Sequence, residues 1–177
     1  LLYRAVGRRV LDANADPRDA TQAEAAARSL SPADLERGDL RGPMADMAAS
    51  AVAAIPAVRA ALLDFQRAFG RDRGAVLDGR DIGTVVCPDA TVKLYVTASA
   101  QVRAKRRFDE EMVRRGDADY EAILDEIEKR DARDMGRADS PLRPAEDAHL
   151  LDTSNMGIEA AFSAAVSIIE TVKASKA

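Results

Sequence analysis

The chain has 177 residues, which suits one domain, and 47% of them are hydrophobic, which is ordinary for a globular protein. Its net charge of −4 argues against a general binder of nucleic acid, because such proteins usually carry excess basic charge. No apolar run approaches a membrane span of roughly 18 residues, and the single cysteine, Cys87, excludes an internal disulfide. We therefore expect a cytoplasmic protein with no membrane and no nucleic-acid partner.

The spacing of apolar residues predicts that the first 70 residues are helical. Helices are expected over residues 1–13, 21–30, about 32–37, 44–54 and 56–69. Ser31 and Pro32 are residue types that favour a helix N-cap and first helical position, and Pro56 can interrupt one helix and begin the next. The stretch from Gly38 to Pro43 contains two glycines and a proline, which predicts a mobile connection.

The pattern changes after residue 74. Short apolar runs predict strands at 75–77, 84–86, 92–97 and 148–152. Helices are predicted at about 100–115, 120–136 and 157–173, and Ser99 and Asp119 are the expected N-caps of the first two. Strands that alternate with helices are typical of a parallel α/β sheet covered by helices on both faces.

The first of three clusters of arginine and acid follows the predicted strand at 75–77. It reads Asp78-Gly79-Arg80-Asp81. Parallel sheets place ligand sites beyond the carboxyl ends of their strands, and the planar guanidinium of Arg80 suits a phosphate or a carboxylate. On its own, a turn with a surface salt bridge explains this pattern equally well.

Arg103, Arg106 and Arg107 form a second cluster, on the helix predicted after the 92–97 strand. Like charges at helical spacing repel one another unless an anion or acidic side chains offset them. The excess of arginine in the chain, 21 of the 26 basic residues, can reflect genomic composition or suit phosphate binding. The alternative to an anion site is a solvated face that the acids of residues 109–111 balance.

The third cluster lies on the predicted helix 120–136 and just beyond its end. Its members share one helical face and are Arg130, Arg133, Asp134 and Arg137. A row of arginines that encloses an aspartate could grip a phosphorylated, hydroxyl-bearing ligand. Gly116 and Gly136 bracket the helix and would let the segment swing as a lid. An exposed, salt-bridged helix is the alternative, and by itself it is the commoner arrangement.

No other catalytic pattern can be built from the chain. There is no Ser-His-Asp order, no paired-histidine metal spacing, no Gly-x-x-x-x-Gly-Lys-Ser/Thr loop and no Gly-Lys pair. His149 is expected to be a strand residue with a local hydrogen bond, and Cys87 a small packing residue.

Taken together, these segments resemble those of bacterial cytidylate kinases. The resemblance rests on Asp78 to Val86 with Pro88-Asp89-Ala90, Ala48-Ala49-Ser50 with Val52 to Arg59, the Arg103/Arg106/Arg107 helix, Arg130 to Asp134 and Leu2-Tyr3-Arg4. It implies a P-loop NTPase-like α/β fold and the transfer of a phosphoryl group from ATP, with Mg²⁺, to CMP or dCMP. It also implies an NMP-binding segment, at about 14–70, and a mobile lid, at about 108–137, within one domain over residues 1–177. We further expect a monomer.

The resemblance assigns roles by motif. The groups expected to hold the phosphate of CMP or to line its path are Arg4, Arg41, Arg80 and Arg130. Those expected to read the cytosine edge are Ser50, Arg59 and Asp81. Asp134 matches the acid that binds the ribose, and Arg137 the lid arginine beside the reacting phosphates. Arg103 and Arg107 fit the lid side of the ATP site, and Asp78 is expected to orient water around Mg²⁺.

The family's first strand, phosphate-binding loop and first helix are expected to precede Leu1, so the chain alone is predicted not to turn over ATP. Two other classes of protein stay open at this point. One is a nucleotide-binding or regulatory module that keeps the CMP pocket without catalysis. The other is an α-helical interaction domain whose arginine rows are incidental. Stabilisation by CMP would exclude the interaction domain.

Overall fold

The structure is a computed structural model that describes residues 1–71, 74–138 and 140–176. The chain divides into two units, Leu1–Val76 and Leu77–Ala177. The described part is rich in helices and contains a small parallel sheet, in keeping with the predicted α/β class.

The first unit consists of helices whose bounds lie close to the predicted ones. They are α1 (Leu2–Asp12), α2 (Ala20–Arg28), α3 (Pro32–Leu35), α4 (Pro43–Ala53) and α5 (Pro56–Arg71). Their apolar faces meet in one core, as the helical spacing predicts. The buried members of that core are Val6, Val10, Ala23, Ala27, Val52, Val58 and Leu62.

Helices α1 and α4 approach each other closely at Gly7. A Cβ atom built at this position would lie 2.9 Å from the carbonyl carbon and the Cβ of Ala48. Only a glycine fits there without a shift of the backbone. The close approach sets the place of α4, which carries the buried Ser50.

The second unit contains two short paired strands and three helices. Its elements are β1 (Leu94–Thr97), α6 (Ala100–Arg115), α7 (Tyr120–Met135), β2 (His149–Asp152) and α8 (Ile158–Ser175). The strands are parallel, and Leu94 lies opposite His149. The predicted N-caps are confirmed, because Ser99 accepts a hydrogen bond from the amide of Val102 and Asp119 from that of Ala122.

Helices α6 and α7 form a hairpin around a small core of Ala104, Ile123 and Ile127. Gly116 ends α6 with a φ of +74°, a left-handed conformation that glycine adopts at little cost. The turn that follows leads into α7, which therefore runs back along α6. This hairpin places the arginines of α6 beside the acids of α7.

Two of the four predicted strands are wrong. Residues 75–77 are irregular and pair with no strand in the described part of the chain. Asp78 therefore does not follow a strand end. Residues 84–86 lie instead in a π-helical turn, Ile82–Val86, in which the carbonyl of Asp81 accepts from the amides of Val85 (2.9 Å) and Val86 (3.2 Å). A backbone that folds on its own carbonyl in this way cannot join a sheet ladder.

The sheet is also less covered than predicted. Val96 of β1 is 59% exposed and Leu150 of β2 is 67% exposed. Helices therefore do not enclose both faces of this sheet within the described residues.

Among the described helices, none taken singly is both long and apolar enough to cross a membrane. Only α4 and α5 counted together pass that test, and they bend by 97° at the break between them.

Candidate active site

Asp134, in the last turn of α7, is the centre of the candidate site. Its side chain is only 2% exposed, and three guanidinium groups surround it. Arg80 donates from Nε to Oδ2 at 3.0 Å, Arg137 donates to Oδ1, and Nε of Arg130 lies 3.9 Å from Oδ2. We call these four residues the Asp134 cluster.

The members of the Asp134 cluster come from separate stretches of the second unit. Arg130 lies one helical turn before Asp134 on α7, and Arg137 follows the end of that helix. Arg80 comes from the turn before the π-helical segment, 54 residues earlier in the chain. The amide of Leu142 donates to the carbonyl of Asp134 at 2.8 Å and holds the returning chain against α7.

The cluster is rich in guanidinium groups. Three of them face the single carboxylate of Asp134 in a partly buried setting. Guanidinium groups present several donors in a planar fork that matches the oxygens of a phosphate. The cluster is therefore suited to bind a phosphate group next to a buried acceptor.

Asp131 holds the first arginine of the second predicted cluster, and sequence reasoning missed it. Arg103 donates from Nη1 to Oδ1 at 3.0 Å and from Nη2 to Oδ2 at 2.6 Å. Its Nε also donates to the carbonyl of Ala98, just after β1, at 2.9 Å. One sequence feature could have pointed to Asp131. It lies next to Arg130 and three residues before Asp134, within the stretch of the third predicted cluster.

The other two arginines of the second predicted cluster, Arg106 and Arg107, also have protein partners. Arg107 lies near Glu111 at 3.3 Å and near Glu126 of α7 at 3.2 Å. Arg106 donates to the carbonyls of Thr153 (2.7 Å) and Met156 (3.1 Å) in the loop after β2. Acids and carbonyls thus offset the repulsion between these arginines in the described structure, and only Arg107 uses an acid of the 109–111 stretch.

A cleft of about 320 Å³ opens beside these groups in the second unit. Its charged lining residues are Asp78, Arg80, Lys93, Arg103, Asp131 and Arg143. Lys93 donates to both carboxylate oxygens of Asp147, at 2.7 and 2.8 Å, and this ammonium group lowers the pKa of Asp147. The cleft therefore combines several cations with two carboxylates.

Asp78 is the residue predicted to act near Mg²⁺. It is exposed and lines the cleft. No group of three or more His, Cys, Asp or Glu side chains that could hold a metal ion occurs among the described residues. Mg²⁺ in nucleotide sites is commonly held by one or two carboxylates together with waters and substrate phosphates, so one accessible carboxylate fits that donor set.

Asp81, predicted to read the base, is buried in the second unit at 5% exposure. Its carbonyl is the acceptor for the π-helical turn, and this turn fixes the backbone from which the side chain extends. The same short segment thus supplies Asp78 and Arg80 to the cleft wall and a buried carboxylate at Asp81.

The remaining predicted residues lie in the first unit. Ser50 on α4 and Arg59 on α5 are buried, at 6% and 9% exposure, and Arg59 lies over the ring of Tyr3 at 5.9 Å. Arg4 donates to the carbonyl of Leu40 at 2.9 Å and pairs with an acid of α4. Arg41 is exposed. Buried polar groups such as Ser50 and Arg59 are candidates for reading a polar ligand edge.

An α/β unit with a cleft lined by Arg80, Arg103 and Arg143, and with the Asp134 cluster beside that cleft, has the residue types of a phosphate-binding protein. The sequence matches the profile of the family described as cytidylate kinase over residues 1–171. We conclude that the chain belongs to the cytidylate kinase family.

Curated relatives agree with this family. A cytidylate kinase of Sinorhizobium medicae is 58% identical over 171 residues, which is 96% of this chain and 81% of that protein. One of Acidiphilium cryptum is 58% identical over 174 residues, 98% of this chain and 82% of the relative. One of Brucella suis biovar 1 is 55% identical over 171 residues, 96% and 78% of the two chains.

Proposed function

We propose that the protein transfers a phosphoryl group from ATP to CMP or dCMP and so forms CDP or dCDP. Membership of the cytidylate kinase family supports this reaction, and the Asp134 cluster is the observation that carries it. Phosphoryl transfer asks a protein mainly to position the reactants and to place positive charge near the phosphate oxygens. The three guanidinium groups gathered around Asp134 support this role.

Arg80, Arg130 and Arg137 are the residues we assign to the phosphate of CMP and to the phosphoryl group in transfer. All three already surround Asp134. A carboxylate that accepts from arginines can also accept from a hydroxyl. This chemistry supports the assignment of Asp134 to the ribose, which comes from the resemblance. The phosphate and the sugar of one nucleotide would then contact the same cluster.

The residues that contact the cytosine base, and those that line the entry path of the CMP phosphate, are assigned from the family resemblance. Cytosine presents a donor and acceptors at its polar edge, which a hydroxyl, a guanidinium and a carboxylate can match. We assign this edge to Ser50, Arg59 and Asp81. We assign the entry path of the CMP phosphate to Arg4 and Arg41.

The ATP side is assigned to Arg103 and Arg107, which extend from α6. Mg²⁺ would be held by the nucleotide phosphates, with Asp78 orienting a water beside it. The ion supplies charge neutralisation between the phosphates when it is bound. The expected lid at about 108–137 covers the second half of α6 and all of α7, and it carries Arg130 and Asp134.

A kinase assay on the full-length protein tests the proposed reaction. We expect transfer from ATP to CMP and dCMP, and thermal stabilisation by CMP greater than that by AMP. Absence of both turnover and stabilisation by CMP would refute the proposal. Stabilisation without turnover would favour a regulatory module.

Three further expectations stay predictions. A kinase assay of the 177-residue chain alone checks its expected inactivity. Cell fractionation checks the cytoplasmic location, and light scattering checks the monomeric state.

Arg130→Ala is the sharper test of the site. Removal of one arginine that stabilises a phosphoryl group costs roughly 10³-fold or more in turnover in related reactions. We therefore expect a large fall in kcat and weaker use of CMP. Lys129→Ala is the matched control, because Lys129 is the adjacent cation of α7 and pairs with Asp125 on the exposed side of that helix. Unchanged kinetics of Arg130→Ala would contradict the assignment.

A further inference from the structure

Helix α7 presents two carboxylates one turn apart, Asp131 and Asp134, and each holds an arginine from another element. Asp134 holds Arg80, and Asp131 holds Arg103. The proposed function gives a role to three of these four residues. Asp131 is the one without a role.

The contact between Asp131 and Arg103 fixes the guanidinium group in both position and plane. Two parallel hydrogen bonds, at 3.0 and 2.6 Å, join the two side chains. A third hydrogen bond, from Nε to the carbonyl of Ala98, holds the end of the guanidinium group nearest the main chain. Arginine has five N–H donors, so these three bonds leave two for another acceptor.

Both side chains face the cleft of the second unit. Arg103 and Asp131 are among its lining residues, and their side chains are 36% and 25% exposed. The pair is therefore accessible to a ligand. The two remaining donors of Arg103 are available to an anion in that cleft.

We infer that Asp131 is a positioning residue, which holds Arg103 ready for a phosphate of ATP. This inference rests on the proposed function for the assignment of Arg103 to the ATP side. An arginine side chain that is already ordered loses less conformational entropy when its ligand binds. Without Asp131, Arg103 has to be ordered by the nucleotide itself, and the affinity for ATP falls.

A purely structural role makes a different prediction. If the pair only joins α6 to α7, its loss lowers stability and affects both substrates alike. If Asp131 acts through Arg103, its loss affects ATP in particular, and the effect disappears once Arg103 is gone.

The test is a double-mutant cycle in the full-length protein with Asp131→Ala, Arg103→Ala and the double variant. We expect Asp131→Ala to raise KM for ATP about tenfold, since hydrogen bonds to charged groups are among the stronger ones. We expect KM for CMP to change by less than about twofold. In the Arg103→Ala background, Asp131→Ala should change KM for ATP by less than about twofold as well.

Asp125→Ala is the matched control, because Asp125 lies on the same helix and its partner is the exposed Lys129. It should leave both KM values unchanged. Three outcomes of Asp131→Ala would overturn the inference. They are an equal rise of KM for ATP with and without Arg103, equal rises of KM for ATP and CMP, and a lower Tm with no change in KM. Calorimetric titration with ATP measures the same double-mutant cycle without turnover. If the proposed reaction is wrong, turnover is absent, whereas the titration still shows whether Asp131 acts on ATP affinity through Arg103.

Discussion

Asp134 shows how one carboxylate can organise several cations. It is almost fully buried, and a buried ion of this kind is tolerated only because oppositely charged donors surround it. Its three arginines would otherwise repel one another. The acid thus keeps the three arginines together.

The first prediction follows from this balance. Asp134→Asn removes the negative charge and leaves three guanidinium groups facing a neutral amide. Breaking a buried ion pair from one side typically costs about 3 kcal/mol in free energy of unfolding, and we expect a loss of that order together with a higher KM for CMP. Urea unfolding and steady-state kinetics measure the two effects. Asp125→Asn, an exposed change of the same type, should be near neutral in both.

Asp34 is a second acid whose setting has a measurable consequence. The hydroxyl of Ser31 donates to it at 2.7 Å, the amide of Ser31 at 2.8 Å and Arg9 of α1 at 2.9 Å. Hydrogen bonds from Ser31, with a further contribution from Arg9, lower the pKa of Asp34 below its ordinary value of 3.8. These bonds begin α3 and tie it to α1.

The second prediction concerns pH. A carboxylate with a lowered pKa in the folded state stabilises the protein above its unfolded pKa, and that stabilisation is lost as the pH falls through the folded pKa. The free energy of unfolding should therefore fall as the pH drops below about 4. Asp34→Asn should be less stable than the parent near neutral pH and less sensitive to acid. Asp64→Asn, on the exposed side of α5, supplies the control; an identical acid response in Asp34→Asn would contradict this account.

At the scale of elements, the packing of α1 on α4 depends on a single glycine. Gly7 lies where the two helix backbones meet, and Ala48 occupies the space that a side chain would need. Helix α4 carries Ser50, one of the residues assigned to the base. If Ser50 has its proposed role, a change in this contact alters stability and the use of CMP together.

The third prediction tests that contact. Gly7→Ala should lower the free energy of unfolding by about 1–3 kcal/mol, because overpacking forces the backbones apart. It should also raise KM for CMP more than KM for ATP. Gly38→Ala is the control, since a Cβ there meets nothing within 4 Å. A neutral Gly7→Ala variant would show that the helices separate without cost.

The π-helical turn, Ile82–Val86, replaces the strand that was predicted at 84–86 beside the site. Thr84, Val85 and Val86 have β-branched side chains, which favour strands. The carbonyl of Asp81 nevertheless accepts from the amides of all three, at 3.3, 2.9 and 3.2 Å. Such turns occur often at functional sites, and this one immediately follows Asp78 and Arg80.

For the whole molecule, charge is the property with the plainest consequence. The chain is acidic overall, with 30 acidic and 26 basic residues, although its cleft is lined by cations. We expect the protein to bind CMP but not a random DNA duplex at physiological salt, because DNA binding needs a broad basic surface. Fluorescence anisotropy with labelled DNA checks this. Salt-dependent DNA binding would show that the cleft accepts polymers.

The parts of this fold that depend on nearby residues were predictable, and those that depend on distant ones were not. Apolar spacing and caps such as Ser99 and Asp119 are local signals, so the helices agree with prediction. The pairs of Arg80 with Asp134 and of Arg103 with Asp131 join residues 54 and 28 positions apart. Apolar spacing cannot show which acid meets which arginine. The predicted strand at 84–86 is wrong because these residues form the backbone hydrogen bonds of a π-helical turn. The residue types at 84–86 do not indicate such a turn.

The gathering of three arginines in the Asp134 cluster also bears on how long the folded protein persists in a cell. A phosphate ligand of these guanidinium groups should stabilise the protein, because it binds the folded state and not the unfolded chain. At a ligand concentration 100 times Kd, binding adds about 2.7 kcal/mol to the free energy of unfolding. Proteases attack opened molecules, whose population falls by the corresponding factor. Cells well supplied with substrate should therefore retain more of this enzyme than starved ones at equal rates of synthesis.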